Sequence, residues 1–155
     1  MNGEKVIAVA KREIGYMEFP FGSNKTKFGK WFGMDEKSWC GIFVSWCYAM
    51  AGFPLGNIGY LKGYAGCDTA YQHFKAKGEL TTDPQRGDIF LVDWNNDGKF
   101  DHTGIFDCWI VKGSSFRTIE GNTSMNNDSN GEGVMDRVRY TTKKFVFIHP
   151  KVLDK

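Results

Sequence analysis

An α+β fold is predicted, with helices in the first half of the chain packed against a mainly antiparallel sheet in the second half. Apolar residues recur at helical spacing in three stretches before Gly87. After Gly87, short segments rich in β-branched and aromatic residues are separated by Gly, Asn, Asp or Ser clusters. Helices followed by consecutive strands are typical of this fold class. Because 155 residues, 41% of them apolar, suffice for one sizeable core, we expect a single domain over residues 1–155.

The first predicted helix is amphipathic and is closed by Gly15. Its apolar stripe consists of Val6, Val9, Ala10 and Ile14. A shorter helix is predicted from Asp68 to Lys77, with Asp68 as its N-cap and Gly78 closing it. Residues 16 to 37 lack sustained periodicity, so this segment is predicted to be a long loop with aromatic anchors. A loop of that length in a compact domain is more often functional than not.

Five strands are predicted in the second half of the chain. Their sequences are DIFLVDW, HTGIFDCWI, SFRTIEGN, GVMDRVRY and FVFIHP. Each is short, rich in β-branched and aromatic residues, and bounded by turn-forming residues. Their close succession favours antiparallel pairing between neighbours.

Composition excludes several classes of function. The formal net charge is +2, from 20 basic and 18 acidic residues without a basic run, so nucleic acid is not an expected partner. No apolar stretch approaches the roughly 20 residues that span a bilayer, and charges interrupt the apolar N-terminus, unlike in a signal peptide. We therefore expect a soluble monomer that is made in the cytosol. The four cysteines form no CxxC pair, which indicates reduced thiols rather than a zinc site or a disulfide scaffold.

The second predicted helix, from about Trp39 to Ala51 with Ser38 as its N-cap, contains two cysteines. Cys40 lies in its first turn, where free backbone N–H groups and the positive end of the helix dipole favour a thiolate. Cys47 lies two turns further along, among bulky apolar residues, and is interpreted as a small buried hydrophobic residue. On this stretch alone, Cys40 is interpreted equally well as a nucleophile or as a buried structural thiol.

A thiolate nucleophile needs a base, and His102 is the best placed of the three histidines. It opens the strand HTGIF directly after an acidic turn, whereas His73 and His149 are interpreted as surface or packing residues. Glu120 and Asn122, two residues apart at the end of the next predicted strand, share one face, and either could orient an imidazole. Cysteine, histidine and a polar orienting residue are the groups that thiol acyl transfer requires.

The segments WCGIFVSWC, PQRGDIF, DHTGIF and TIEGNTS, in this order, resemble the CHAP domain, a cysteine- and histidine-dependent amidohydrolase/peptidase of the NlpC/P60 group. The resemblance implies a papain-like α+β fold. It also implies that Cys40 is the nucleophile, His102 the general base and acid, Glu120 the residue that orients the imidazolium, and Asn122 a further polar member of the site. Such domains cleave peptidoglycan, at the amide between muramic acid and L-alanine or within the stem peptide and cross-bridge, without a cofactor for the chemistry.

The stretch IGYMEFPFGSNKTKFGKWFGMDEKSWC, residues 14–40, resembles in particular the start of bacteriophage endolysins and related cell-wall hydrolases of Gram-positive hosts. This resemblance implies synthesis without a signal peptide in the cytosol of an infected bacterium and action on the cell wall. Endolysins usually carry a separate wall-binding domain, and the sequence contains no candidate for one. Three further classes of function remain open: a glycosidase that pairs Glu120 with an aspartate of the acidic turn, a cysteine protease of proteins, and a non-catalytic wall-binding module.

The acidic turn DWNNDGKFD also has the ligand spacing of an EF-hand calcium loop. The candidate ligands are Asp93, Asn95, Asp97, Asp101 and the backbone carbonyl of Lys99. Position 12 of such a loop, which normally holds a bidentate glutamate, is Gly104 here. A structural Ca²⁺ site and a hairpin turn with solvated carboxylates are both compatible with this pattern.

Overall fold

The computed structural model describes residues 1–123 and 131–155. This part of the chain contains four α-helices, six strands and a short 3₁₀ helix at Lys151–Asp154. The helices are α1 (Asn2–Arg12), α2 (Lys27–Phe32), α3 (Cys40–Met50) and α4 (Cys67–Ala76). The strands are β1 (Leu80–Thr81), β2 (Ile89–Asp93), β3 (His102–Val111), β4 (Ser115–Thr123), β5 (Gly133–Tyr140) and β6 (Lys144–Ile148).

The strands form one sheet in the order β1-β6-β2-β3-β4-β5. Every pairing between neighbours in it is antiparallel, so the predicted α+β fold is confirmed. All five predicted strands are present, and β6 lies between β1 and β2 rather than at an edge. Strand β1 was not predicted, because two residues are too few for a recognisable alternation.

The sheet is covered by apolar side chains on both faces. On one face, Ile105 and Ile119 pack in the larger core with the helices. On the other, Phe106 and Phe116 belong to a second, aromatic cluster. Helix α3 is buried almost all round, as expected for a central core helix. It packs closely on β4 because Gly121 has no side chain: a Cβ there would lie 2.6 Å from Cβ of Phe43.

The predicted helix ends need three corrections. Helix α1 ends at Arg12, and Ile14 is 42% exposed rather than part of the apolar stripe. Trp39, not Ser38, is the N-cap residue of α3. Asp68 lies inside α4, whose N-cap is Gly66. Ser38 and Asp68 were predicted to cap helices, but the side chain of each bonds to a distant partner instead. Sequence spacing does not reveal such partners.

The predicted loop at 16–37 contains an unpredicted helix, α2. Its first turn is capped by the Thr26 side chain, which accepts a hydrogen bond from the Gly29 N–H, and Gly33 ends it in the left-handed conformation. Six residues are too few to show a helical period. Among the described residues, no helix is long and apolar enough to cross a membrane.

Candidate active site

The N-terminus of α3 is held in place by two buried polar residues on either side of Trp39. The Trp39 backbone N–H donates to Oδ1 of Asn122 at 2.8 Å, and the indole Nε1–H donates to Oε2 of Glu18 at 2.9 Å. The Ser38 hydroxyl also donates to Oδ1 of Asn122, at 2.8 Å. Cys40, the first residue of α3, is thereby fixed at a helix terminus with unpaired backbone donors.

Cys40 is 4% exposed, and its sulfur interacts with two other side chains. A hydrogen bond from the Cys67 thiol is the largest effect that lowers the pKa of Cys40 well below its usual value. Burial opposes this shift, and the hydrogen bond and positive charge of His102 add to it. Burial raises the pKa of the Cys47 thiol instead. The pKa of the thiol is thus lowered at Cys40 and raised at Cys47, and a lowered thiol pKa favours a nucleophile.

His102 and Glu120 form a buried pair, as their predicted positions on neighbouring strands suggested. Nε2 of His102 lies 2.8 Å from Oε1 of Glu120, and both side chains are 0% exposed. Gly104 makes this approach possible, since a Cβ there would lie 2.7 Å from Cγ of Glu120. Burial would lower the pKa of His102, but the charge of Glu120 and the contact with Cys40 raise it to about 9. The pairing thus favours an imidazolium beside a thiolate.

The two ring nitrogens of His102 have different surroundings. Nε2 is bonded to Glu120, whereas Nδ1 is buried and makes no hydrogen bond within the described residues. The imidazole also interacts with the thiol of Cys40. Nδ1 is therefore the nitrogen that can exchange a proton with the thiol.

Glu120 is ionised although it is fully buried. Burial favours its neutral form, but hydrogen bonds from Arg139 and the positive charge of His102 lower the pKa of Glu120 to about 2. Arg139 also lies over the ring of Trp94, which stacks on His102. Arg139 and the Cys67 contact were not found in the sequence, since no local spacing connects either residue to the site.

Asn122 lies at the site but not against the imidazole. Besides its bonds to Ser38 and Trp39, its Nδ2 donates to the Gly131 carbonyl at 2.6 Å. Its backbone is left-handed, with φ of 58°, a conformation that asparagine tolerates better than most residues. Its Oδ1 therefore holds the segment before Cys40, and its Nδ2 donates to Asn24 and Gly131.

The acidic turn brings three of the predicted calcium ligands together. One carboxylate oxygen each from Asp93, Asp97 and Asp101 lies within 4.8 Å of the others. Backbone N–H groups of the loop donate to all three carboxylates, including Gly98 N–H to Oδ2 of Asp93 at 2.9 Å. These groups form a compact set of hard oxygen donors directly before the strand that His102 opens.

Comparison with protein-family models gives a match to the CHAP domain over residues 31–122. The match covers more than half of the chain and includes Cys40, His102 and Glu120. The chain belongs to the CHAP family. Comparisons with curated proteins and with solved structures give no match. CHAP domains are typically cysteine- and histidine-dependent amidohydrolases or peptidases, and peptidoglycan is their characteristic substrate. The helices and antiparallel sheet agree with the papain-like CHAP fold.

Proposed function

We propose that this CHAP domain is a peptidoglycan hydrolase that cleaves an amide bond with Cys40 as nucleophile, His102 as general base and acid, and Glu120 as the group that orients His102. The single observation that carries the proposal is a buried series of three side chains, in which the His102 imidazole interacts with the Cys40 thiol and its Nε2 lies 2.8 Å from Oε1 of Glu120. Asn122 contributes by holding the backbone before the nucleophile.

The geometry supports a two-step acyl transfer. The Cys40 thiolate attacks the amide carbonyl, and the resulting oxyanion forms near the N-terminus of α3, where the Cys40 backbone N–H is a donor. His102 gives its Nδ1 proton to the leaving amine, which leaves a thioester on Cys40. A water molecule then attacks the thioester while Nδ1 takes up its proton, and release of the carboxylic acid restores the thiolate and imidazolium.

A glycosidase is disfavoured by the surroundings of Glu120. A retaining or inverting glycosidase needs two carboxyl groups that flank a sugar bond, one of them protonated. Glu120 is 0% exposed, and its pKa is lowered to about 2, so it neither reaches a sugar nor carries a proton. A protease of proteins would leave peptidoglycan uncut and would cleave protein substrates. A non-catalytic wall-binding module would release no fragment at all.

The test is mass spectrometry of purified peptidoglycan after digestion, with the Cys40→Ala protein as control. An amidase releases peptides with a new N-terminal alanine and leaves intact glycan strands, whereas an endopeptidase cuts the stem peptide or the cross-bridge. In this proposal, residues 1–155 form one catalytic domain that acts on the cell wall as endolysins do. The proposal is wrong if the wild-type protein releases no fragment that the Cys40→Ala control lacks.

We also propose a structural Ca²⁺ in the acidic turn, held by Asp93, Asn95, Asp97, Asp101 and the Lys99 carbonyl. The Asn95 amide fits the loop both without and with Ca²⁺. In one orientation its nitrogen donates to Oδ1 of Asp93 and of Asp97 at 3.0 Å. In the other, its oxygen joins the carboxylates as a ligand of the ion. Gly104 occupies position 12 of the loop and cannot be replaced by the usual glutamate, because a Cβ there would lie 2.6 Å from Cε2 of Phe90. The affinity should therefore be weaker than that of a complete EF-hand loop.

Removal of Ca²⁺ is expected to lower the melting temperature and the hydrolytic rate together, since the loop sets where β3 begins. Ca²⁺ should restore both better than Mg²⁺, whose small octahedral shell suits such a loop poorly. The measurement is a melting curve and a wall-hydrolysis assay on chelator-treated protein, with and without each cation. Asp93→Asn/Asp97→Asn keeps the hydrogen-bond acceptors and is the matched control. Identical curves for wild type and variant, with no response to Ca²⁺, would show a simple hairpin turn.

A further inference from the structure

The carboxylate of Glu120 has a second strong partner besides His102. Nε of Arg139 donates to Oε2 at 2.8 Å and Nη2 donates to Oε1 at 2.5 Å. The Thr118 hydroxyl also donates to Oε2, at 2.6 Å. Arg139 is only 6% exposed. A bidentate guanidinium pair in such a setting fixes both the position and the plane of a carboxylate.

We propose that Arg139 is a positioning residue of the hydrolytic site, which holds Glu120 as an oriented carboxylate so that Nε2 of His102 keeps its proton and Nδ1 serves Cys40. The inference rests on the proposed function of these three residues. Arg139 lies on β5, outside the segment that matches the CHAP family.

The physical reason is the cost of a buried charge. Burial favours a neutral Glu120, and Arg139 is the first of the groups that lower the pKa of this carboxyl. Without the guanidinium, the carboxylate would lose the two hydrogen bonds that fix its plane, and Oε1 would no longer be held against Nε2 of His102. A neutral imidazole that lacks this acceptor is free to carry its proton on Nδ1, where it cannot accept one from Cys40. Loss of Arg139 would thus put His102 in the wrong tautomer.

Trp94 supports the same arrangement from one side. The guanidinium carbon of Arg139 lies 4.9 Å from the centre of the Trp94 ring. The Trp94 and His102 rings are stacked, with centroids 6.3 Å apart and an angle of 22°. One indole therefore packs against both Arg139 and His102 and helps to fix their positions on either side of Glu120.

The test compares Arg139→Met and Arg139→Lys with the matched control Arg117→Met, whose arginine is exposed on the neighbouring strand β4. The first readout is the rate at which iodoacetamide alkylates Cys40 at one fixed pH without peptidoglycan, followed by peptide mass spectrometry. We expect Arg139→Met to react at least about 10-fold more slowly, Arg139→Lys to be intermediate and Arg117→Met to match the wild type. The second readout is turnover of a soluble muropeptide, where kcat should fall about 100-fold or more with KM within about 3-fold.

A double-variant comparison separates positioning from general destabilisation. In a Glu120→Gln background, Arg139→Met should slow alkylation little further, because Arg139 acts through the Glu120 carboxylate. A folded Arg139→Met protein with the wild-type alkylation rate, or an equal loss in both backgrounds, overturns the proposal. If Arg139→Met does not melt cooperatively, Arg139→Lys is the deciding variant. A wild-type alkylation rate in Arg139→Lys would show that the bidentate guanidinium of Arg139 is not needed, and would overturn the proposal. Wild-type protein that leaves peptidoglycan uncut would refute the proposed function, while the alkylation rates would still test Arg139.

Discussion

Replacement of Cys40 by alanine is expected to abolish the release of soluble fragments from purified peptidoglycan while the protein stays folded. The thiolate is the group that attacks the amide carbonyl in the proposed mechanism, so the rate should fall by at least about 10⁴-fold. Because only one sulfur atom is removed, the loss of folding free energy should be on the order of 1 kcal/mol. The measurements are a wall-hydrolysis assay and a urea unfolding curve on the same preparation.

Cys47→Ala is the matched control, since it removes the same atom from the same helix. Cys47 is 0% exposed, and burial raises the pKa of its thiol, so it contributes packing but no chemistry. We expect this variant to keep wild-type turnover and to lose on the order of 1–2 kcal/mol of folding free energy. A folded Cys40→Ala protein that still hydrolyses peptidoglycan would refute the thiol mechanism.

Glu120→Ala is expected to lower both turnover and stability. Loss of the carboxylate removes the group that keeps the proton on Nε2 of His102, so kcat should fall by about 10³–10⁴-fold with little change in KM. It also breaks the buried ion pair of Glu120 with Arg139, which should cost about 3–5 kcal/mol of folding free energy. Steady-state kinetics on a soluble muropeptide and urea unfolding at pH 7 measure the two effects.

Low pH provides a further check on the stability loss from Glu120→Ala. The pKa of Glu120 is lowered from 4.5 to about 2 in the folded protein, so its stabilising effect is present above 4.5 and is lost as the pH falls toward 2. The gap in free energy of unfolding between wild type and Glu120→Ala should therefore narrow in that interval. Glu120→Gln, which keeps the side-chain volume, controls for packing. A wild-type kcat in either folded variant would remove Glu120 from the site.

The residues with a local signal could be predicted from the sequence. Cys40 at a helix start, His102 at a strand start and Glu120 on the next strand each stand in a recognisable pattern, and the structure brings all three together. The pairing of β3 with β4 brings His102 and Glu120 together. Ile105 lies opposite Ile119, so Gly104 lies against Glu120, two residues along β3 from His102. The family match over 31–122 includes all three positions.

The missed features depend on distant contacts or on very short elements. Arg139 alternates with exposed residues on β5, and an arginine at such a position is ordinarily solvated. Cys67 lies next to Cys40 only because α3 and α4 pack around one core. Ser38 and Asp68 looked like helix caps, yet their partners are Asn122 and the Phe100 N–H. Calcium binding in the acidic turn stays a prediction.

The place of β6 in the sheet has a consequence for synthesis of the protein. This strand comes last in the chain but pairs with both β1 and β2. While a ribosome is still making residues 144–148, the edge of β2 has no partner, and an open strand edge is prone to pair with other chains. Strand β2, which leads to His102, is therefore secured on its far side only after residues 144–148 have been made. The proposed hydrolytic activity should accordingly appear only after β6 has emerged from the ribosome.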